Sequence, residues 1–392
     1  MKRNMLLLFI LSVILSFTSY SQVKFIDTDF EGAKKMATKQ NKLIFIDAYT
    51  DWCGWCKKMD QETFSDSLVG KFMNAKFIPL QINMEQGFGK KLAMKFHIKS
   101  YPSYLVLNSD GILVYTSLGY SLPDKFLETL KEALDPSKQI ITKGVTDVIE
   151  LPYPQFYQLQ FEPKGIRKTA DSAKIHEYLD KQINLLSEVN WAIIYFYPTN
   201  DKYNQYFLDN INTYRELYGN YEPNQKLYNI YFNKLQDAIK AKDESKLNEV
   251  LDFINRYSNE NTEREKIYYR ILFYKEMKDW KNISFYMDEL INISGYEYAS
   301  MINEYSWGIY RFCEDEEVVR SAVKWMKNVV EKEAKYSYLD TYASLLFKDR
   351  NYIEAEKYAL LAIEASKNTN EKLRDTEDLL KKIQDAKGEE KK

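Results

Sequence analysis

The sequence predicts an α/β domain, with a mixed central sheet flanked by helices, followed by an all-α helical-repeat domain. Three observations carry this. Short apolar runs alternate with helically spaced segments only in the front third. Seven of the 13 glycines precede residue 137. No proline follows Pro223, and so long a stretch without one reads as helix after helix.

The front elements follow in order. LIFIDAY, Leu43 to Tyr49, is a short apolar run that suits a buried strand. Cys53 to Asn74 has helical spacing. FIPLQINM, Phe77 to Met84, is a second strand, and Lys90 to Ile98 is helical. Ser103 to Ser117 holds two strands joined by an Asn-Ser-Asp-Gly turn, a strong hairpin signal. Asp124 to Leu134 is helical, and Asp135-Pro136 stops it. Strand and helix in alternation, then a hairpin and a helix, imply a mixed sheet with helices on both faces.

Before this domain, a basic start (Lys2, Arg3), an apolar run from Met5 to Phe17 and the triplet Ser19-Tyr20-Ser21 read as a signal peptide. Cleavage is expected between Ser21 and Gln22. The protein is therefore expected to be exported and soluble, in the periplasm or outside the cell. The formal charge of -2 becomes two units more acidic once Lys2 and Arg3 are removed, which gives no electrostatic reason to expect nucleic acid. Three cysteines are too few for a disulfide framework.

From about Lys226, amphipathic helices of roughly 15 residues alternate with short polar breaks. Examples are Glu263 to Met277 and Trp280 to Ile293. The unit Leu339 to Ser366 resembles a tetratricopeptide repeat. Ala343, Tyr352, Ala355, Ala359 and Ala362 stand where that repeat uses small residues and an aromatic to close paired helices. The consensus glycine and proline are missing. Asn303 to Met326 resembles a weaker copy, and stacked units of this kind expose a concave face able to hold a protein ligand. The expected boundaries are thus 1–21 signal peptide, 22–136 α/β domain, 137–223 connector and helical segment, 224–385 helical repeats and 386–392 frayed tail. The proline-rich Leu151 to Gly165 belongs to the connector.

The chemistry centres on Trp52-Cys53-Gly54-Trp55-Cys56. A zinc site needs two more soft ligands, and the chain offers only Cys313, His97 and His176, with no second pair. A static disulfide would close a very small loop and add little stability. A redox pair must follow a strand and open a helix, as the pattern has it. There, free backbone N–H groups favour the Cys53 thiolate, and Cys56 lies one turn further in, placed to resolve a mixed disulfide. Cys313, among Trp307, Tyr310 and Phe312, reads as a small buried hydrophobe in a helix.

Residues 23–136, with IFIDAYTDWCGWCKKM followed by SYPSYLVLNSDG, resemble the thioredoxin superfamily. The spacing also resembles the C-terminal periplasmic domain of the membrane thiol reductase. The resemblance implies roles. Asp47, six residues before Cys53, stands where the family keeps a buried aspartate beneath the active-site pair; a tolerated edge residue is the alternative. Lys57 follows Cys56 as in thioredoxin and joins the catalytic set; a solvated surface lysine is the alternative. Pro102 stands at the family's cis-proline, which bars metal and lets the preceding residue, here Tyr101, pair with a substrate backbone. Flanking an exposed nucleophile, Trp52 and Trp55 are expected to form an apolar rim for partner chains, with core residues as the alternative; Trp52 also resembles the family's usual tryptophan there. Gly54-Trp55 between the cysteines and Tyr101 before the proline depart from the usual residues, which leaves the redox direction and the docking preference open. The implied activity is thiol–disulfide exchange, with reduction of protein disulfides first, fed by a membrane thiol reductase and requiring no dissociable cofactor. A disulfide isomerase or oxidase, or a helical-repeat adaptor with a redox-sensitive dithiol, are the alternatives.

Overall fold

The computed structural model describes residues 22–140, 142–258, 262–367 and 374–389. The expected signal peptide, 1–21, lies outside them, as do 390–392. The chain divides by packing into two compact units, with the division between Leu227 and Tyr228.

The first unit is built on a four-stranded sheet of order β2-β1-β3-β4. Strand β1 (Leu43–Tyr49) runs parallel to β2 (Phe77–Asn83) and antiparallel to β3 (Ser103–Leu107), which pairs antiparallel with β4 (Leu113–Leu118). Successive side chains alternate between the faces of a strand. Phe45, Phe77, Tyr104 and Val106 therefore share one core with Phe126 and Leu130. Ile44, Ile46, Leu80 and Leu105 on the opposite face are equally buried, so the sheet is covered on both sides.

Helices α1 (Phe30–Gln40), α2 (Gly54–Lys58), α3 (Ser67–Lys76), α4 (Gly87–Lys95) and α5 (Pro123–Leu134) surround the sheet. Two differ from the sequence reading. Helix α1 was not anticipated, although its signals are present. Asp29 caps it by accepting from the Gly32 N–H at 2.6 Å, Phe30, Ala33 and Ala37 form a buried stripe, and Asn41 ends it in the left-handed region. The helix expected over 53–74 is broken. Helix α2 passes into a π-helical turn at Met59–Thr63, and α3 starts afresh because the Asp66 carboxylate accepts from the Leu68 and Val69 N–H groups.

Residues 137–223 pack within the first unit. They carry α6 (Gln155–Gln158), α7 (Ser172–Asp180), α8 (Glu188–Phe196), α9 (Asp201–Asp209) and α10 (Ile211–Tyr218). Lys95 of α4 forms a buried ion pair with Glu188 of α8. Glu188 also accepts from the Thr146 N–H at 3.0 Å and the Thr146 hydroxyl at 2.9 Å. The Tyr157 hydroxyl donates to the Met94 carbonyl at 2.9 Å. His97, isolated in the sequence, has its Nδ1 2.7 Å from Glu222, which also accepts from the Trp191 indole. Removing one partner of a buried pair leaves the other charge uncompensated. Glu188→Ala is therefore expected to destabilise the first unit by about 3–5 kcal/mol, read as a lowered urea midpoint.

Helix α11 (Tyr221–Ala241) contains the division between the units, so packing changes a few residues after the expected boundary at 224. The second unit is all-helical among its described residues. Its helices are α12 (Glu244–Tyr257), α13 (Thr262–Met277), α14 (Trp280–Ser294), α15 (Ala299–Phe312), α16 (Glu316–Lys332), α17 (Tyr336–Lys348), α18 (Tyr352–Ser366) and α19 (Arg374–Glu389). Ala343, Ala355, Ala359 and Ala362 are fully buried, and α17 packs closely on α18. Trp325, also buried, donates its indole N–H to Asp288 at 2.7 Å. Cys313 is buried but lies just past the end of α15 in extended backbone, not inside the helix. The tail expected to fray from 386 is helical as far as Glu389. Among the described residues, no helix is long and apolar enough to cross a membrane.

Candidate redox site

Strand β1 leads through Thr50 and Asp51 into the cysteine pair. Cys53 holds its N–H on the Thr50 carbonyl at 3.0 Å, which turns the chain from strand into helix. Cys53 caps α2 in extended backbone, and its sulfur accepts from the Cys56 N–H at 3.0 Å. The two cysteines are joined in a disulfide, with Cα atoms 5.3 Å apart. A sulfur already aimed at a helix-start N–H is stabilised by it when it becomes a thiolate. Both cysteines are nearly buried, at 4% and 3% exposure, whereas Trp52 and Trp55 are 45% and 57% exposed. The pair thus sits low between two aromatic walls.

The Tyr101–Pro102 peptide bond is cis, and Pro102 is buried. The Trp52 ring meets the Tyr101 ring edge-on at 5.9 Å. Hence the residue before Cys53 touches the residue before Pro102, although 49 positions separate them in sequence. Trp55 lies 5.4 Å from Tyr120. The Lys58 ammonium stands over both rings, 5.4 and 4.6 Å from their centroids.

Asp47 lies in an interior strand and is 1% exposed. The β1–β2 register sets Gln81 directly beside it, and the Gln81 amide donates to Asp47 Oδ2 at 3.0 Å and to Asp60 Oδ1 at 2.9 Å. Asp47 Oδ1 is buried with no hydrogen-bond partner among the described residues. Burial pushes the Asp47 carboxyl up from 3.8 to about 7; the Gln81 bond opposes this, and the nearby Asp60 charge adds to it. Burial also raises Asp60. A carboxyl poised near neutrality is suited to moving a proton. Lys57 is exposed and enters no ion pair among the described residues.

The sequence reading did not find Gln81, Asp60, Lys58, Tyr120 or Glu85. Gln81 left a trace as the one polar side chain in FIPLQI. The others become visible only through pairing. Glu85 follows β2 and accepts from the Trp52 indole N–H at 3.0 Å, fixing that ring.

Residues 30–134 match the family described as the thioredoxin-like domain. Over 95 residues the chain is 28% identical to a thiol:disulfide interchange protein DsbD of Pasteurella multocida, covering 24% of this chain and 16% of that protein. It is 25% identical over 112 residues to a protein disulfide-isomerase of Datisca glomerata, covering 29% of this chain and 22% of that protein. It thus spans only about a sixth to a fifth of the length of these relatives. A solution structure of a disulphide-isomerase candidate from Bacteroides thetaiotaomicron is 34% identical, covering 30% of this chain and 98% of that one, with a TM-score of 0.28. Residues 30–134, with the Cys53–Cys56 pair at the start of α2, are a thioredoxin-like domain homologous to part of the DsbD thiol:disulfide interchange proteins.

Proposed function

We propose that this chain is an exported thiol–disulfide oxidoreductase that reduces protein disulfides through Cys53 and Cys56. The observation that carries this reading is the Cys53–Cys56 disulfide at the start of α2, flanked by exposed tryptophans, with Trp52 against the residue before a cis proline. In the reduced enzyme, the Cys53 thiolate attacks one sulfur of a partner disulfide. The partner's other sulfur leaves as a thiolate, and a mixed disulfide forms at Cys53. Cys56 then loses its proton and attacks the Cys53 sulfur. The Cys53–Cys56 bond closes, and the partner's second sulfur leaves as a thiolate that takes up a proton. Two electrons pass to the partner, and the enzyme ends as the disulfide.

Asp47 is the proposed group that takes the proton from Cys56, and Lys57 adds positive charge beside the pair. Trp52, Trp55, Tyr101 and Pro102 form the surface on which the partner's chain lies. A membrane thiol reductase returns the enzyme to the dithiol, in the periplasm or another exported compartment. The second unit is proposed to be a tetratricopeptide-like array that holds a protein ligand, supported by the buried alanines between α17 and α18.

The test is the reduction potential of the Cys53–Cys56 pair in glutathione buffers. A value around -270 mV is expected and makes the enzyme a reductant. A value near about -120 mV would make it an oxidase. Absence of any two-electron couple would leave an adaptor whose dithiol does not cycle.

A further inference from the structure

The segment after the thioredoxin-like domain reaches back to the redox site. Residues 162–168, which begin in the proline-rich Leu151–Gly165 stretch and continue past it within the expected connector, lie against the Trp52 and Tyr101 side. The Lys164 N–H donates to Glu85 Oε1 at 2.9 Å, and Arg167 Nη2 donates to the same oxygen at 2.8 Å. The other Glu85 oxygen holds the Trp52 indole. One carboxylate, with a side chain only 10% exposed, therefore fixes the tryptophan on one side and the segment on the other. The Lys164 ammonium stands 4.7 Å from the centre of the Trp52 ring. Burial raises the Tyr101 pKa, and the positive charge of the nearby Arg167 guanidinium opposes that rise.

The segment is held at both ends. Glu162 forms an ion pair with Lys90 of α4, and its carbonyl accepts from Arg167 Nε at 2.8 Å. Phe161 is buried, 5.0 Å from Tyr157 and 5.3 Å from Phe196. The Gln160 amide donates to the Lys168 carbonyl. So many ties make a fixed wall, and none of them depends on the state of the cysteines.

We propose that residues 162–168 are the outer wall of the partner-docking surface, with Arg167 a positioning residue for Glu85 and through it Trp52, and Lys164 a specificity residue on Trp52. This rests on the oxidoreductase reading above. The wall meets the two residues that precede Cys53 and Pro102, so a chain lying along them meets it as well. A polypeptide disulfide, which extends past its sulfurs, uses the wall. A small disulfide that reaches only the sulfurs does not.

The experiment compares the full-length protein with its Arg167→Ala and Lys164→Ala variants, using dithiothreitol as reductant. Insulin is the polypeptide disulfide and glutathione disulfide the small one. The readout is the ratio of kcat/KM for insulin to kcat/KM for glutathione disulfide. Arg167→Ala is expected to lower this ratio about five- to tenfold, with the loss in KM for insulin. Lys164→Ala, which removes only an exposed ammonium, is expected to lower it about twofold to threefold. An unchanged ratio in both variants overturns the proposal, whether both activities fall together or neither does. If the unmodified protein turns over neither disulfide, the oxidoreductase reading itself fails, and the wall has no substrate to select.

Discussion

Cys53→Ser is expected to abolish reduction of protein disulfides, with a fall of about three orders of magnitude or more. The third cysteine cannot replace it. Cys313 is buried in the second unit, and burial raises its pKa, away from the thiolate. Cys56→Ser has a different signature. Cys53 can still attack, its sulfur still facing the backbone N–H of residue 56. The mixed disulfide then has no resolving thiol, so the partner stays bound. Intact-mass spectrometry after mixing with a disulfide protein should show one covalent partner on Cys56→Ser and none on Cys53→Ser. Adduct on the Cys53→Ser variant instead would make Cys56 the attacking thiol and reverse the proposed order.

Asp47→Asn has the next largest effect, and it acts on stability as well as rate. In the folded protein this carboxyl titrates at about 7, against 3.8 in the reference state. Between those values the folded protein holds a proton that the unfolded chain has released. Stability therefore falls as pH rises through this window and stays low above it. The unfavourable contribution above pH 7 is of the order of 2–4 kcal/mol. Asparagine cannot ionise, and its amide oxygen can accept from Gln81 as Oδ2 does, so the disulfide form of Asp47→Asn is expected to be more stable by about that amount at pH 8 and nearly equal at pH 4. Urea unfolding at both pH values measures this. Asp60 keeps its own raised pKa in the variant, so a smaller slope in the same direction remains. A variant no more stable than the parent at pH 8 would mean that Asp47 ionises in the fold without cost, near its ordinary pKa. The same substitution should slow the resolving step most near neutral pH, where the carboxyl is best matched to its proton.

Much of the thioredoxin-like domain was legible from the chain. LIFIDAY is β1 with the expected ends, because a strand buried on both faces needs an unbroken apolar run. Asn108 to Gly111 makes the expected hairpin connection, since Gly111 takes positive φ and the Asn108 side chain accepts from the Asp110 N–H. Cys53 and Cys56 were visible because spacing in the chain sets their geometry. Helix α1 was legible but missed, with its cap and stripe in plain view. The break at Phe64 to Asp66 was harder, because helical spacing continues through it and only the Asp66 cap marks the restart.

Other parts of the site could not be read in this way. Gln81 bridges Asp47 and Asp60 only because β2 pairs with β1 in one particular register; a slip of one residue would turn its side chain to the other face. Arg167 meets Glu85 across 82 positions, from a segment whose composition says only that it is a loop. The sequence by itself determined the strands, the dithiol and the helical character of the second unit, because these depend on residues a turn or a strand apart. The tertiary structure alone decided which side chains surround the dithiol: hydrogen bonds and ring contacts between distant segments depend on register and packing, and neither is written in local periodicity.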